Sequence, residues 1–290
     1  MNDLPQVIRN CKVSLYADDT CIYFASNDPG ELEKAINDDL SAISDWLLHN
    51  KLMLNVKKCQ YMIISSKRNC KKFANLNIKI ENTSLEKVNK CKYLGVVIDS
   101  DLSWKPQVEN VKSKVLRNFH VLRRARQFID QSTALTLYNT MVQPHFQYCS
   151  TIWMKPNSSQ IKRLQILQNR ALRIVLKVDY HHNRKDLYQR LEVDCLNAKL
   201  KKDLVIIIYK ILNDLFPEFL SSQPILKLSN YNLRNISQKV QLPRPNSRFC
   251  KNSTIYLAAQ LFNNLPEPVR KEIKFTRFLK DVDSIFVLEL

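Results

Sequence analysis

The spacing of apolar and polar positions changes character along this chain. Between residues 11 and 26, short apolar runs flank a polar tip. Val13, Leu15 and Tyr16 precede it, and Cys21, Ile22, Tyr23 and Phe24 follow, which predicts two strands around a turn. A helix is predicted next. Asn27 or Asp28 can cap it, Pro29 suits its first turn, and Glu31 and Glu33 complement its dipole. Leu32, Ile36, Leu40, Ile43 and Leu47 recur at steps of four and three and so form one stripe.

From Leu52 to Ile98 the pattern turns to strands. Tyr61 to Ile64 is apolar and β-branched, Leu76 to Ile80 alternates, and Lys92 to Ile98 contains Tyr93-Leu94-Gly95-Val96-Val97. After Trp104 the spacing predicts helices over 105–127, 131–143, 157–177 and 195–214. In the third, Ile161, Leu164, Gln168, Ala171 and Val175 share one side, while Lys162, Arg163, Asn169, Arg170, Arg173 and Lys177 cover much of the rest. Residues 221–252 carry Pro224, Pro243 and Pro245 without clear periodicity and read as a long irregular connection. Helical patterning returns at Ser253–Phe262 and near Thr276–Phe286. The fold class expected is α+β: a small antiparallel sheet with a helix, then a mostly helical remainder.

Composition adds two constraints. Glycine occurs only twice among 290 residues, against roughly 7% in average usage. That disfavours glycine-rich phosphate loops and tight-turned all-β folds. The formal net charge is +18, a surplus that calls for a polyanionic partner, nucleic acid first and an anionic membrane surface next. The eight cysteines form no CxxC pair, and the histidines complete no zinc-finger spacing with them. No signal peptide opens the sequence, and no apolar run approaches the ~20 residues that span a bilayer. An intracellular protein, cytoplasmic or nuclear, with reduced thiols is expected.

The candidate chemistry is concentrated at Asp18 and Asp19. Two adjacent carboxylates suit Mg²⁺, which prefers hard oxygen ligands. By itself the pair is a weak signal, because Asp is common at turns. Its surroundings sharpen it. Leu15-Tyr16-Ala17-Asp18-Asp19-Thr20 resembles the Y/F-A-D-D box of reverse transcriptases, most closely that of non-LTR, LINE-like retrotransposons of the jockey group. Asp3-Leu4-Pro5 resembles the segment leading into that box. Trp46, Leu52-Met53-Leu54-Asn55 and Lys57-Lys58-Cys59 resemble the segment that follows it. Tyr93-Leu94-Gly95-Val96 resembles the Y-L-G primer grip, with Asp99 and Trp104 where the family often has an acid and an aromatic. Tyr138, Pro144, Tyr148 and Trp153 match the thumb pattern, and Leu167-Gln168-Asn169-Arg170-Ala171-Leu172-Arg173 matches the Q-N-x-A-L-R helix. Leu233-Arg234-Asn235 and Leu261-Phe262-Asn263-Asn264-Leu265-Pro266 resemble the closing W-N-x-L-P region, with Phe262 replacing the usual Trp. Each piece is weak alone; their shared order makes them strong together.

The resemblance implies an RNA-directed DNA polymerase that uses two Mg²⁺ ions for nucleotidyl transfer and takes an RNA template and a DNA primer, with no membrane involved. Asp18 would be a direct metal ligand and Asp19 its neighbour at the same site. Lys58 would lie near the incoming triphosphate, and Tyr93, Leu94 and Gly95 would turn under the primer end. Residues 1–103 would be a partial palm, 104–220 a helical thumb and connection, and 221–290 an irregular linker with a C-terminal helical region. Lys112, Lys114, Arg117, Arg123, Arg124, Arg126, Lys162, Arg163, Arg170 and Arg173 would follow the nucleic-acid backbone. Blander readings stand beside these. The charged runs can simply solvate helix faces, Gly95 can be a strand bulge, and Trp46, Trp104 and Trp153 can be packing residues. Cys59, Cys149 and Cys195 read as small core fillers, and His181-His182 as an interhelical loop.

The same resemblance places a further metal-binding Asp, the nucleotide-selecting segment and the fingers before the Y-A-D-D box, where this sequence has too few residues to hold them. The expectation is therefore a polymerase fragment that is inactive alone. Two other readings remain open at this point: a polymerase half completed by a separate amino-terminal chain, and a non-catalytic nucleic-acid-binding module.

Overall fold

The computed structural model describes residues 3–66, 69–217, 239–242 and 248–286. Most of the connection expected at 221–252, including Leu233-Arg234-Asn235, lies outside the described residues. The chain divides into two compact units, Met1–Pro106 and Gln107–Leu290.

The first unit opens with β1 (Lys12–Tyr16) and β2 (Asp19–Tyr23), paired antiparallel so that Tyr16 faces Asp19. Helix α1 (Pro29–His49) follows. Of the two candidate caps, Asp28 performs the role: its side chain accepts from the Glu31 N–H at 3.1 Å, with Pro29 in the first turn. The apolar stripe of α1 packs on a small core. Leu40 is buried with Phe73, Leu76, Ile78 and Ile80, and Leu32, Ile36 and Tyr61 lie against them.

Asp39 also lies on this inner face, at 2% exposure. Its carboxylate accepts from the backbone N–H groups of Arg9 at 3.1 Å, Asn10 at 2.9 Å and Cys11 at 2.6 Å, and from Asn10 Nδ2 at 3.2 Å. A buried charge is tolerable when it is this fully hydrogen-bonded. The contact fixes the start of β1 against α1.

The strands between residues 60 and 99 are shorter than their spacing predicts. β3 (Gln60–Tyr61) pairs with β6 (Glu86–Lys87), and β4 (Lys79–Ile80) pairs with β5 (Thr83–Ser84). The first of these ladders is parallel, whereas an antiparallel sheet was expected throughout. Residues 92–98 are not one strand. β7 (Lys90–Tyr93) turns back into antiparallel β8 (Val96–Asp99) because Leu94 and Gly95 both adopt positive φ, at 43° and 83°. That pair of left-handed residues is what a two-residue hairpin loop needs.

The second unit is helical among its described residues. It contains α2 (Lys105–Ala125, whose first two residues close the first unit), α3 (Gln131–Met141), α4 (Gln143–Gln147), α5 (Ser150–Trp153), α6 (Ser159–Leu176), α7 (Arg184–Leu191) and α8 (Leu196–Leu212). After the undescribed stretch come α9 (Arg248–Lys251), α10 (Thr254–Asn263), α11 (Glu267–Arg270) and α12 (Phe275–Ile285). The long helices end within about two residues of their predicted bounds, the ordinary latitude of helix termini. Ser158 caps α6 through the Ile161 N–H at 3.3 Å, and Lys177 closes it in the left-handed conformation.

The core of this unit gathers on α8. Leu204, Val205, Ile208 and Tyr209 are buried there, with Ala258, Phe262 and Phe278 from α10 and α12 also buried. Tyr209 stacks on Phe278 with centroids 4.0 Å apart. Lys202 is tied between Asp194 at 2.8 Å and Asp283 at 2.9 Å. No helix among the described residues is long and apolar enough to cross a membrane.

Candidate functional site

Asp18 and Asp19 occupy the tip and first β2 position of the β1–β2 hairpin, and both are exposed. The loop between the strands is only Ala17-Asp18. Ala17 accepts a positive φ of 52°, which an L-residue with a Cβ adopts at some cost. The tight reversal places the two residues at one end of a short ladder, Asp18 in the loop and Asp19 opposite Tyr16. Their oxygens are hard donors that fit a divalent cation bound through carboxylates and water. Among the described residues, no group of three or more His, Cys, Asp or Glu side chains gathers to hold a metal.

The second hairpin of the first unit lies beside the first. Tyr93, the residue before the Leu94-Gly95 turn, reaches Ser14 on β1, with hydroxyl oxygens 3.2 Å apart. Burial pushes the Cys21 thiol up, and Cys91 on β7 adds to the rise, so the ladders also meet through these side chains. The sequence-predicted Asp18, Asp19, Tyr93, Leu94 and Gly95 are thus gathered on two tight hairpins.

Asp99, at the end of β8, is 8% exposed and accepts from the N–H groups of Ser103 at 3.0 Å and Trp104 at 2.9 Å. It holds the turn that leads into α2. Asp3 accepts from Trp46 Nε1 at 3.1 Å, so the Asp3-Leu4-Pro5 segment docks on α1, and Leu4 is buried. Lys58 lies exposed in the single 3₁₀ turn Val56–Lys58. No described hydrogen bond or ion pair joins it to Asp18 or Asp19.

The basic side chains of the second unit divide into kinds. Arg117, Arg123, Arg124, Lys162, Arg163 and Arg170 are exposed. Lys112 pairs with Glu109 at 3.1 Å, and Arg163 approaches the same carboxylate at 3.7 Å. Lys114 and Arg117 lie close enough to His145 that, after burial, their charges further depress its pKa. Arg126 departs from the expected surface role. It is only 9% exposed and donates to the carbonyls of Val175 and Ile129, both at 2.7 Å. Its position explains this, because it continues the buried stripe of Val115, Phe119 and Leu122.

Several motif residues of the helical unit are structural. Tyr138 and Gln168 are essentially buried. Gln168 Nε2 donates to Tyr138 Oη at 3.1 Å and to the Asp194 carbonyl at 2.9 Å. Its Oε1 accepts from Tyr188 Oη and the Leu196 N–H, both at 3.2 Å. Asn169 accepts from Tyr188 as well. One buried polar network thus joins α3, α6, α7 and the start of α8. Trp153, fully buried, donates to the Tyr148 carbonyl at 2.9 Å. Asn263 clasps Val240, accepting from its N–H at 2.8 Å and donating to its carbonyl at 2.9 Å.

Sequence comparison acts on this arrangement. Residues 1–98, which contain both hairpins, match the family described as reverse transcriptase (RNA-dependent DNA polymerase). These 98 residues, about a third of the 290-residue chain, are similar to that family. The match spans the Y-A-D-D tip and the Y-L-G turn together. The chain is also 24% identical over 209 residues to a probable RNA-directed DNA polymerase from transposon X-element of Drosophila melanogaster, covering 69% of this chain and 22% of that protein. It is 24% identical over 200 residues to the probable polymerase from transposon BS of the same species, covering 67% and 22%. It is 20% identical over 194 residues to the RNA-directed DNA polymerase from mobile element jockey of Drosophila funebris, covering 66% and 21%. The chain therefore spans about a fifth of the length of these relatives. No solved structure matches it significantly. The resemblance read from the ordered motifs is borne out at the level of the family.

Proposed function

We propose that this chain is the palm-to-C-terminal part of an RNA-directed DNA polymerase of a non-LTR retrotransposon, acting on an RNA template and a DNA primer. The observation that carries the reading is the pair of tight hairpins, Tyr16-Ala17-Asp18-Asp19 and Tyr93-Leu94-Gly95-Val96, tied by the Tyr93–Ser14 contact. Residues 1–103 act as part of the palm, 104–220 as thumb and connection, and 221–290 as the C-terminal region. Asp18 and Asp19 are the carboxylates that hold Mg²⁺; when bound, the ions stabilise charge on the attacking and leaving oxygens. Lys58 faces the triphosphate, and the Leu94-Gly95 turn supports the primer end, where a glycine allows close backbone approach. The exposed cations of α2 and α6 follow the phosphate backbone. Eight cysteines, none in a disulfide, accord with an intracellular place, cytoplasmic or nuclear.

A pair of carboxylates holds two ions poorly without a further ligand wall, so the 290-residue polypeptide is expected to bind template–primer without extending it. Primer extension on an RNA template, comparing the chain with Asp18→Ala, tests this. Salt-sensitive binding with no extension is the predicted result. Mg²⁺-dependent extension by the chain alone, abolished by Asp18→Ala, would show that its own residues complete the site. The reading as a binding module without catalysis draws on the exposed cations of α2 and α6. It predicts that no added polymerase segment restores extension.

A further inference from the structure

The C-terminal ends of α2 and α6 converge on an open cleft of about 380 Å³. Arg123, Arg126, Arg170, Arg173 and Lys177 line it, and no Asp or Glu does. Arg126 is spent on two main-chain carbonyls, and Arg173 also donates to the His182 carbonyl at 3.4 Å. Among the described residues, the four besides Arg126 have no carboxylate ion-pair partner. Arg170 lies over the Phe119 ring at 5.6 Å and Arg173 over the Tyr180 ring at 5.2 Å; both contacts leave the positive charge in place. Arg173 Nε is buried without a hydrogen-bond partner.

The bland reading is that cations gather at helix C-termini to complement the dipole. Each dipole offers only about half a negative charge, too little to balance this many cations. The remaining walls are not those of a simple anion trap. Ile174 and Val178 are apolar, and Tyr180, 76% exposed, stands at the rim with its ring held by Arg173. A planar, sequence-tolerant stacking surface beside guanidinium groups is how unpaired bases and their phosphates are held.

We propose that this cleft receives one unpaired nucleotide of a single-stranded nucleic acid, its phosphate on Arg123, Arg170 and Lys177 and its base against Tyr180. The inference rests on the polymerase reading for its substrate class and deepens it, since it separates a single-strand site from the duplex-tracking cations elsewhere on α2 and α6.

Fluorescence anisotropy with the full 290-residue chain tests it, using a labelled single-stranded RNA and a blunt duplex of the same length. Tyr180→Ala should weaken single-strand binding about 5- to 100-fold, as loss of one stacked base does, and leave duplex binding within about twofold. Tyr180→Phe should bind as the parent does. Arg170→Gln with Lys177→Gln should lower the salt dependence of single-strand binding by about 1.4 in log–log slope. Because Tyr180 and these cations are exposed, the substitutions leave the core intact, and circular dichroism checks that they do. Equal loss for strand and duplex, no loss at all, or loss with Tyr180→Phe would each overturn the proposal. If the parent chain binds neither nucleic acid, the polymerase reading fails as well; if it binds both and Tyr180→Ala is silent, only the cleft fails.

Discussion

Ala17 sits at a φ of 52° in the two-residue loop that presents Asp18 and Asp19. Glycine would relieve that conformation, and a β-branched residue would aggravate it. Ala17→Gly is expected to maintain or raise amide hydrogen-exchange protection across β1 and β2, while Ala17→Val lowers it by about 1–2 kcal/mol. Asp39 makes a second prediction. Burial raises its pKa, but the N–H groups of Cys11, Arg9 and Asn10 outweigh burial and leave it below the ordinary carboxylate value of 3.8. A lowered folded-state pKa contributes stability that is present above the unfolded value and is lost as pH falls through the folded one. Protection of the residue 9–11 amides should therefore hold at neutral pH and collapse below about pH 4, and Asp39→Asn should remove that pH dependence. The neighbouring Cys11 thiol, pushed up to about 12 by burial and by Asp39, should resist alkylation at neutral pH. Asp39 was legible in principle, since it lies three residues after Ile36 and four before Ile43 on the apolar stripe. Arg126 was legible in the same way, four residues after Leu122, although its charge alone made it look like Arg123 and Arg124.

At the scale of elements, helices were easier to read than strands. A helix draws its pattern from contacts three and four residues away, so Ile161, Leu164, Ala171 and Val175 announce α6 without help from the rest of the chain. Two-residue strands such as β3 and β6 carry almost no periodicity, and their pairing depends on partners some 26 residues apart. The β7–β8 reversal was hidden because Leu94 is an uncommon occupant of a left-handed position; only Gly95 marked it. The network around Gln168 was also invisible, since its partners come from α3, α7 and the α7–α8 connection. Its weight can be measured. Gln168→Leu removes the donor to the Tyr138 hydroxyl and the Asp194 carbonyl, while Asn169 still accepts from Tyr188 and Gln165 Oε1 still accepts from the Leu196 N–H at 2.9 Å, so it should lower the urea midpoint by an amount worth about 1–3 kcal/mol. Tyr138→Phe removes one partner and should cost about 1 kcal/mol. A neutral result for Gln168→Leu would mean that water or repacking satisfies the network.

For the whole molecule, the charge of +18 falls almost entirely on the second unit. If the exposed cations of α2 and α6 contact phosphates, affinity for a template–primer should fall linearly with log salt, and Arg117→Gln with Arg124→Gln should reduce the slope by about 2. The family was legible from the order of short motifs, because a hairpin tip and a glycine turn are local. What the sequence left open was which motif residues act and which build: Asp18 and Asp19 sit at an exposed turn and Gly95 at a half-buried one, whereas Tyr138, Gln168, Trp153 and Asn263 hold helices and main chain together. That division rests on burial, which depends on the whole fold. The most direct measurement is primer extension on an RNA template by the chain supplied with a polypeptide carrying the preceding palm and fingers of a relative such as the X-element polymerase. Mg²⁺-dependent extension that appears only with both parts and disappears with Asp18→Ala is the predicted result. Extension that survives Asp18→Ala would contradict the assignment of this hairpin as the catalytic one.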